Sequence, residues 1–171
     1  MPGAFGSVQG APRLTAAHPV ATVRPMERIN ATTVAIQGHG VLLRGPPGSG
    51  KSDLALRLLR EGGHLVADDY TEVEREGERL TAHAPATIAG LLEVRGIGIL
   101  RVTPVSPAVL VACVDLVASG GVERMPDDQA TPIGNTGRHL PLFRLAAFEA
   151  STPAKVRLVV RLCTGSIQRV S

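Results

Sequence analysis

The pattern of hydrophobic and polar residues changes period several times along the chain. Residues 29–36 are rich in β-branched side chains, the pair Gln37-Gly38 follows, and residues 41–43 are apolar again. This order predicts two strands joined by a tight turn. Residues 53–60 then place leucines at helical spacing before Gly62-Gly63. We therefore expect a helix that stops at these two glycines.

A short apolar run follows the predicted helix and ends in two acids. Residues 64–69 predict a buried strand that closes with Asp68 and Asp69. Acids at the carboxyl end of a strand face the ligand crevice in open α/β sheets, so both are candidate site residues. Because neighbouring residues of a strand point to opposite faces, we expect only one of the two to meet a substrate directly.

The rest of the chain predicts a mixture of strands, loops and one more helix. Residues 71–80 alternate around Glu76-Gly77, which predicts a surface hairpin, and residues 108–115 predict a fully buried strand. Residues 122–150 show no clear pattern and are expected to be irregular. A second helix should begin at Thr152-Pro153 and pack on the sheet. Its residues at helical spacing are Val156, Val159, Val160 and Cys163.

The segment between the second strand and the first helix contains a phosphate-binding pattern. The residues that fit G-x-x-x-x-G-K-[ST] are Gly45, Pro46, Pro47, Gly48, Ser49, Gly50, Lys51 and Ser52. Glycines let backbone N–H groups turn toward phosphate oxygens, and the helix that follows adds its positive dipole end. Lys51 supplies a compact positive charge for the outer phosphates, and Ser52 offers a hydroxyl to Mg²⁺. The pattern predicts a nucleotide site.

Composition narrows the class of protein. A chain of 171 residues with 44% hydrophobic content is long enough for one α/β domain with its own core. A net charge of only +3 and the lack of Trp argue against a nucleic-acid partner. Cys113 and Cys163 lie in apolar runs without metal-ligand spacing, so we expect two buried free thiols in a reducing cytoplasm. We expect no membrane span, because no apolar stretch is long enough.

The ends of the chain differ from its middle. Residues 1–25 contain four prolines and no apolar periodicity, which predicts a disordered leader or an over-long start with Met26 as the alternative first residue. We expect the domain to cover residues 26–164 and residues 165–171 to form a tail.

Three segments in this order resemble one family. After the phosphate-binding pattern comes Leu65-Val-Ala-Asp68-Asp69, whose Asp68 lies sixteen residues after Ser52, and then Leu92-Glu93-Val-Arg-Gly-Ile-Gly-Ile99. Together they are similar to the catalytic domain of bacterial HPr kinase/phosphorylase, in the short α-proteobacterial form that lacks an amino-terminal regulatory domain. The resemblance implies an α/β fold with a P-loop-containing mixed sheet flanked by helices and a PEP-carboxykinase-like core.

The same resemblance implies an activity and its partners. It implies a serine protein kinase that transfers the γ-phosphoryl group of ATP, with Mg²⁺, to an HPr-like phosphocarrier protein of the phosphotransferase system. Family members form hexamers, so a homohexamer is expected, without a nucleic-acid or membrane partner. Phosphoryl transfer mainly requires charge neutralisation and in-line positioning, which a lysine, a magnesium ion and a nearby carboxylate supply.

Site residues follow from the family pattern position by position. The pattern implies that Ser52 and Glu93 hold Mg²⁺ and that Lys51 contacts the outer phosphates. It implies that Asp69, with Asp68 beside it, takes the proton from the target serine hydroxyl.

The sequence departs from the family pattern in two places. Family members have a histidine eight residues before the glycine that is Gly38 here, where this chain has Asn30. The family's Arg-Pro-Gly-Arg-Asn segment, tied to phosphorolysis, is replaced by residues 148–155. The kinase reaction is therefore better supported than the reverse phosphorylase reaction, which we expect to be weak. Arg124 occupies the place of a family catalytic arginine.

Two other functions also fit the residues. One is a P-loop kinase or NTPase acting on a small molecule, with Asp115 as the strand-end magnesium ligand and Asp68 and Asp69 recognising the substrate. The other is a non-enzymatic ATP sensor, motivated by Asn30. The segment around Glu93 distinguishes the small-molecule kinase from the protein kinase. A measurement of catalytic turnover distinguishes the ATP sensor from both enzymes.

Overall fold

The structure is a computed structural model, and it describes residues 26–170. The leader predicted at residues 1–25 lies outside the described residues, as does residue 171 of the predicted tail. In chain order the strands and helices are β1 (Met26–Asn30), β2 (Thr32–Ile36), β3 (His39–Arg44), α1 (Lys51–Arg60), β4 (His64–Ala67), β5 (Tyr70–Glu76), β6 (Arg79–His83), β7 (Leu91–Val94), β8 (Gly98–Arg101), β9 (Ala108–Leu116), β10 (Gln129–Pro132), β11 (His139–Leu145) and α2 (Thr152–Cys163).

Nine of the strands form one mixed sheet. The order of neighbours is β1-β5-β6-β9-β3-β2-β4, and β11 pairs with the second half of β9 and with β10. Strands β3, β9 and β11 run parallel to one another, and the remaining neighbours are antiparallel. The carboxyl ends of parallel strands share one edge of a sheet. The loops that follow β3, β9 and β11 therefore lie along the same edge.

The two ends of this sheet meet. Strands β4 and β5 lie near opposite ends of the order, yet only Asp68 and Asp69 separate them in sequence. The sheet therefore curls until the end of β4 reaches the start of β5. Buried hydroxyls bridge the junction, because Thr71 Oγ1 lies 2.7 Å from Thr33 Oγ1 and donates to the carbonyl oxygen of Ala31 at 2.9 Å.

Each face of the sheet buries its own apolar cluster. Both helices cover one face, where Leu54 and Leu58 of α1 and Val156 of α2 pack on β2, β3 and β9. On the other face the curled sheet packs against itself, and residues such as Leu42 and Val73 are fully buried there. The central strands β3 and β9 are apolar on both sides, which explains their uninterrupted hydrophobic sequence.

Helix α1 begins and ends where the sequence predicts. It starts directly after Gly50, and Gly62 adopts a left-handed φ of 86° at its end. The N–H of Gly63 donates to the carbonyl of Leu58 at 2.9 Å, and the N–H of Gly62 donates to that of Leu59 at 3.0 Å. This pair of hydrogen bonds is the Schellman ending, which favours a glycine at the left-handed position that Gly62 occupies.

Several predicted elements differ in the structure. The segment 29–36 is not one strand, because it breaks at Ala31 where β1 leaves its pairing with β5 and β2 begins to pair with β3. The predicted surface hairpin is part of the main sheet, with Val73 and Leu80 buried. Residues 122–150 are not irregular, since they contain β10 and β11. Both strands contain proline, and β11 also places an arginine among its apolar residues, which hides the alternation.

The predictions for the cysteines and for membrane segments are tested over the described residues. Both cysteines are free, but only Cys113 is fully buried, and burial raises the pKa of its thiol to about 12. Cys163 is half-buried near the end of α2. Among residues 26–170, neither helix is long and apolar enough to cross a membrane.

Candidate nucleotide-binding site

The glycine-rich loop between β3 and α1 has a conformation that requires its glycines. Gly48 and Gly50 have left-handed φ values of 82° and 94°. A Cβ atom at Gly50 would lie 2.7 Å from the Cβ of Ala147, and one at Gly45 would lie 2.5 Å from the hydroxyl of Ser49. Such distances exclude any larger residue unless the loop moves. The loop precedes the amino terminus of α1, which is the arrangement that binds phosphate.

The side chain of Lys51 is hydrogen-bonded to the glycine-rich loop. Its side chain is nine-tenths buried, and its Nζ donates to the carbonyl oxygens of Gly45 at 2.8 Å and Pro46 at 3.4 Å. Hydrogen bonds from an ammonium to phosphate are stronger than those to neutral carbonyls, so a phosphate within reach would compete for this group. The loop and Lys51 thus fit the phosphates of a nucleotide.

Asp68 joins three elements around the first turn of α1. Its carboxylate accepts hydrogen bonds from Ser52 Oγ at 3.1 Å, from Thr32 Oγ1 at 2.8 Å and from the backbone N–H of Glu93 at 3.2 Å. Only 5% of the residue is exposed. Because donors from three elements already occupy this carboxylate, Asp68 fixes the hydroxyl of Ser52 and holds the backbone of β7 at Glu93.

Asp69 has a different environment from its neighbour. It lies beyond the end of β4 with a left-handed φ of 61°, so the alternation of a regular strand does not apply to it. Its side chain lines the cavity described below, whereas that of Asp68 does not. An aspartate tolerates this backbone conformation better than most residues do.

The charge on Asp69 is unfavourable in the folded protein. Partial burial raises the pKa of its carboxyl group, and neighbouring negative charges raise it further. Those charges belong to Asp68 and Glu93, and the positive charge of Lys51 opposes them only in part. A carboxylate with a raised pKa holds a proton more readily, which is a property of general bases.

A cavity of about 410 Å³ brings most of the predicted site residues together. Its lining residues are Pro47, Gly48, Gly50, Lys51, Ser52, Asp53, Leu56, Asp69, Glu93, Val94, Arg95 and Phe148. Ser52 and Glu93, the predicted magnesium ligands, both face it. Within residues 26–170, no cluster of three or more His, Cys, Asp or Glu side chains is arranged to hold a metal. Magnesium in nucleotide sites commonly uses one or two protein ligands together with phosphate oxygens and water, so a hydroxyl and a carboxylate fit it.

Two predicted residues lie outside this cavity. Arg124 is exposed in the segment between β9 and β10 and does not line the cavity. Asn30 is exposed at the end of β1, although the N–H of the next residue, Ala31, donates to the carbonyl oxygen of Asp69 at 3.0 Å. The catalytic role of Arg124 remains a prediction.

Asp115 pairs with Arg44 and does not line the cavity. Arg44 donates to both of its carboxylate oxygens, from Nε at 2.8 Å and from Nη2 at 3.1 Å, and also to Thr131 Oγ1 at 3.1 Å. Val114 packs on the helix-covered face, so Asp115 projects from the opposite face. This placement weighs against Asp115 as a magnesium ligand beside Ser52.

Sequence reasoning missed Thr32 and Phe148. Thr32 reads as one of several β-branched strand residues, and its bond to Asp68 spans 36 positions that only the sheet brings together. Phe148 reads as part of an irregular segment, yet it is 70% exposed and lines the cavity. Neither role can be recognised from the neighbouring residues in the sequence. The one available signal is that the chain has only three phenylalanines, so each of them is a candidate for a specific role.

These features define a class of protein, the α/β domains in which a glycine-rich loop connects a buried strand to a helix that begins with lysine and serine. The family model described as "HPr Serine kinase C-terminal domain" matches residues 22–109. The chain belongs to this family.

Curated relatives share the family name. The HPr kinase/phosphorylase of Lactiplantibacillus plantarum is 37% identical over 134 residues, which cover 75% of this chain and 42% of that protein. Those of Exiguobacterium sp. and Bacillus subtilis are 47% and 46% identical over 79 residues, which cover 46% of this chain and 25% and 26% of the relatives. The matching part therefore spans less than half the length of each relative.

A solved structure shares the fold. The Hpr(Ser) kinase/phosphatase from Coxiella burnetii matches with a TM-score of 0.72 at 24% identity, over 82% of this chain and 92% of that one. This similarity confirms the predicted mixed α/β fold with helices flanking the sheet.

Two glycines of the loop provide a matched test of its packing. Alanine at Gly48 or at Gly50 meets a left-handed φ, which costs roughly 1–2 kcal/mol. Only at Gly50 would the new Cβ also overlap Ala147 and Phe148, since nothing lies within 4 Å at Gly48. We expect thermal unfolding to show a clearly larger loss of stability for Gly50→Ala than for Gly48→Ala. Equal losses would mean that the loop does not pack as described.

The raised pKa of Asp69 predicts how its charge affects stability. A carboxyl whose pKa is higher in the folded state favours folding while protonated and loses that contribution as the pH rises through the folded pKa. We expect Asp69→Asn to raise the melting temperature at about pH 7 and the gain to shrink toward pH 4, where the ordinary aspartate pKa lies. Asparagine also tolerates the left-handed backbone. A gain that does not depend on pH, or a loss at neutral pH, would contradict this.

Proposed function

We propose that this domain is an ATP-dependent serine protein kinase that phosphorylates an HPr-like phosphocarrier protein of the phosphotransferase system, with Mg²⁺ as cofactor. The observation that carries the proposal is the convergence of Lys51, Ser52, Asp69 and Glu93 on one cavity next to the glycine-rich loop. Membership in the HPr serine kinase family supports the nature of the acceptor.

Each part of the site has a role in this reaction. The loop N–H groups and Lys51 hold the outer phosphates, and Asp68 keeps the hydroxyl of Ser52 in position. Ser52 and Glu93 would hold Mg²⁺, which neutralises phosphate charge when bound. The reaction then needs a group that accepts the proton of the attacking serine hydroxyl.

Asp69 is suited to accept that proton. It faces the cavity, its pKa is raised, and hydrogen bonds to the backbone fix the turn in which it lies. The carbonyl oxygen of Asp69 accepts from the N–H of Ala31 at 3.0 Å, and that of Asp68 accepts from the N–H of Tyr70 at 2.7 Å. The backbone that carries this base therefore does not have to be ordered before the proton is accepted.

The rim of the cavity supports a protein acceptor. In the β7–β8 hairpin, Ile99 is the cross-strand partner of Glu93, so the two side chains lie on the same face. Ile97 and Ile99 are 71% and 70% exposed. Adjacent exposed apolar side chains beside a site typically mark contact with a macromolecule. A kinase that acts on a small molecule would not need these two exposed isoleucines. That alternative also needs Asp115 as a magnesium ligand, but Arg44 binds both of its carboxylate oxygens.

The proposal also covers the reverse reaction, the assembly and the location. An asparagine at position 30 cannot carry the positive charge of an imidazolium, so we propose that phosphorolysis of the phosphoserine is weak. We also propose a homohexamer, which the family resemblance implies, and a cytoplasmic location, which two free thiols fit. The mass in solution by light scattering tests the assembly.

The decisive experiment follows phosphate from ATP to the acceptor. The protein is incubated with γ-labelled ATP, Mg²⁺ and HPr-like proteins of the same organism, and the labelled residue is identified. We expect phosphoserine, and we expect Asp69→Asn to slow its formation about 10²–10⁴-fold with little change in ATP affinity.

The exposed Asp127→Asn serves as the matched control and should transfer phosphate like the wild type. ATP binding without any transfer would support the sensor alternative. Equal losses of binding and transfer in Asp69→Asn would assign Asp69 a structural role.

The hairpin predicts how the acceptor is recognised. Replacing the exposed Ile99 by threonine keeps a β-branched strand residue but removes apolar contact area. We expect a several-fold higher KM for the acceptor protein and an unchanged KM for ATP. Leu158→Ala, at an exposed site on α2, is the control. An unchanged KM for the acceptor would place its contact surface elsewhere.

A further inference from the structure

Phe148 is an exposed aromatic residue at the edge of the candidate nucleotide site. It lies in the loop between β11 and α2, is 70% exposed and lines the same cavity as Lys51. Its ring packs over the glycine-rich loop, because a Cβ at Gly50 would be 2.9 Å from the Cζ atom of the ring. The other described phenylalanine, Phe143, packs instead against the core.

Sheet topology places Phe148 on a particular side of the loop. From one side to the other the relevant strands are β4, β2, β3, β9 and β11. Asp69 follows β4, the glycine-rich loop follows β3, and Phe148 follows β11. The phosphates would thus lie on the loop between the two residues. If the outer phosphate faces Asp69, the nucleoside end of the ligand extends toward Phe148.

The loop that contains Phe148 is tied to α1. Arg57 donates hydrogen bonds to the carbonyl oxygens of Ala147 and Glu149, the residues on both sides of Phe148. Its Nε also donates to Asp53 at 3.1 Å on the first turn of the helix. The backbone on both sides of Phe148 is therefore held, so binding to the ring does not have to order this part of the loop.

We propose that Phe148 stacks on the base of the bound nucleotide. Every nucleobase has a π-face, and stacking on an aromatic ring stabilises binding without reading the hydrogen-bonding edge of the base. The site therefore takes a nucleoside triphosphate in preference to an inorganic polyphosphate. This inference rests on the proposed binding of ATP but not on transfer to a protein.

Binding measurements with two ligands separate the base from the phosphates. Calorimetry compares ATP with tripolyphosphate, each with Mg²⁺, for the wild type and for Phe148→Ala, Phe148→Leu and Phe148→Tyr. We expect the alanine and leucine variants to lose about tenfold in ATP affinity and the tyrosine variant to stay near the wild type. Tripolyphosphate should bind all four proteins alike. Leu158→Ala, which removes an exposed leucine in the middle of α2, controls for loss of apolar surface.

The outcomes distinguish this inference from the proposed kinase activity. Unchanged ATP affinity in Phe148→Ala overturns the inference, and so do equal losses for ATP and tripolyphosphate, since these would reflect damage to the loop at Gly50. A wild-type protein that binds tripolyphosphate as tightly as ATP, or binds neither, also overturns it. A ring-dependent preference for ATP in a protein that phosphorylates no acceptor would leave the stacking role intact and refute the kinase.

Discussion

The carboxylate of Asp68 is the interaction on which the rest of the site depends. It binds Thr32 from the sheet, Ser52 from α1 and the backbone of Glu93 from the β7–β8 hairpin. A buried carboxylate is tolerated only when hydrogen bonds satisfy it, and here donors from three separate elements do so. Removing any one donor would leave charge unsatisfied and release one element from the others. Ser52, the backbone of Glu93 and the sheet therefore keep a common geometry.

Local signals in the sequence predict much of the fold and of the site. The glycine-rich loop, the helix from Lys51 to Arg60 and its end at Gly62 each follow from a short stretch of residues whose physics is local. The buried strand β9 follows from its apolar run in the same way. The sequence also predicts that Lys51 and Ser52 lie at the site, because both directly follow the glycine-rich loop, and both line the cavity.

Features that depend on contacts between distant parts of the chain, or on strands with no clear period, could not be predicted. The break at Ala31 arises because β1 and β2 pair with different strands, and nothing within the segment itself signals the change. Strand β10 has only four residues, and both β10 and β11 contain proline and are partly exposed, so their sequence shows no clear period. The contact of Thr32 with Asp68 and the placement of Phe148 over Gly50 both join distant parts of the chain.

The two-residue connection between β4 and β5 gives the acid pair a mechanical role. Because Asp68 and Asp69 close the curled sheet, their positions are set by the curvature of all its strands rather than by a flexible loop. The chain can make this short connection only with a left-handed backbone at Asp69, which is a strained conformation. The surrounding sheet is rigid enough to maintain it. A change far from the cavity that flattened the sheet would pull the two carboxylates apart. Such distant substitutions would then act on the chemistry through the shape of the fold.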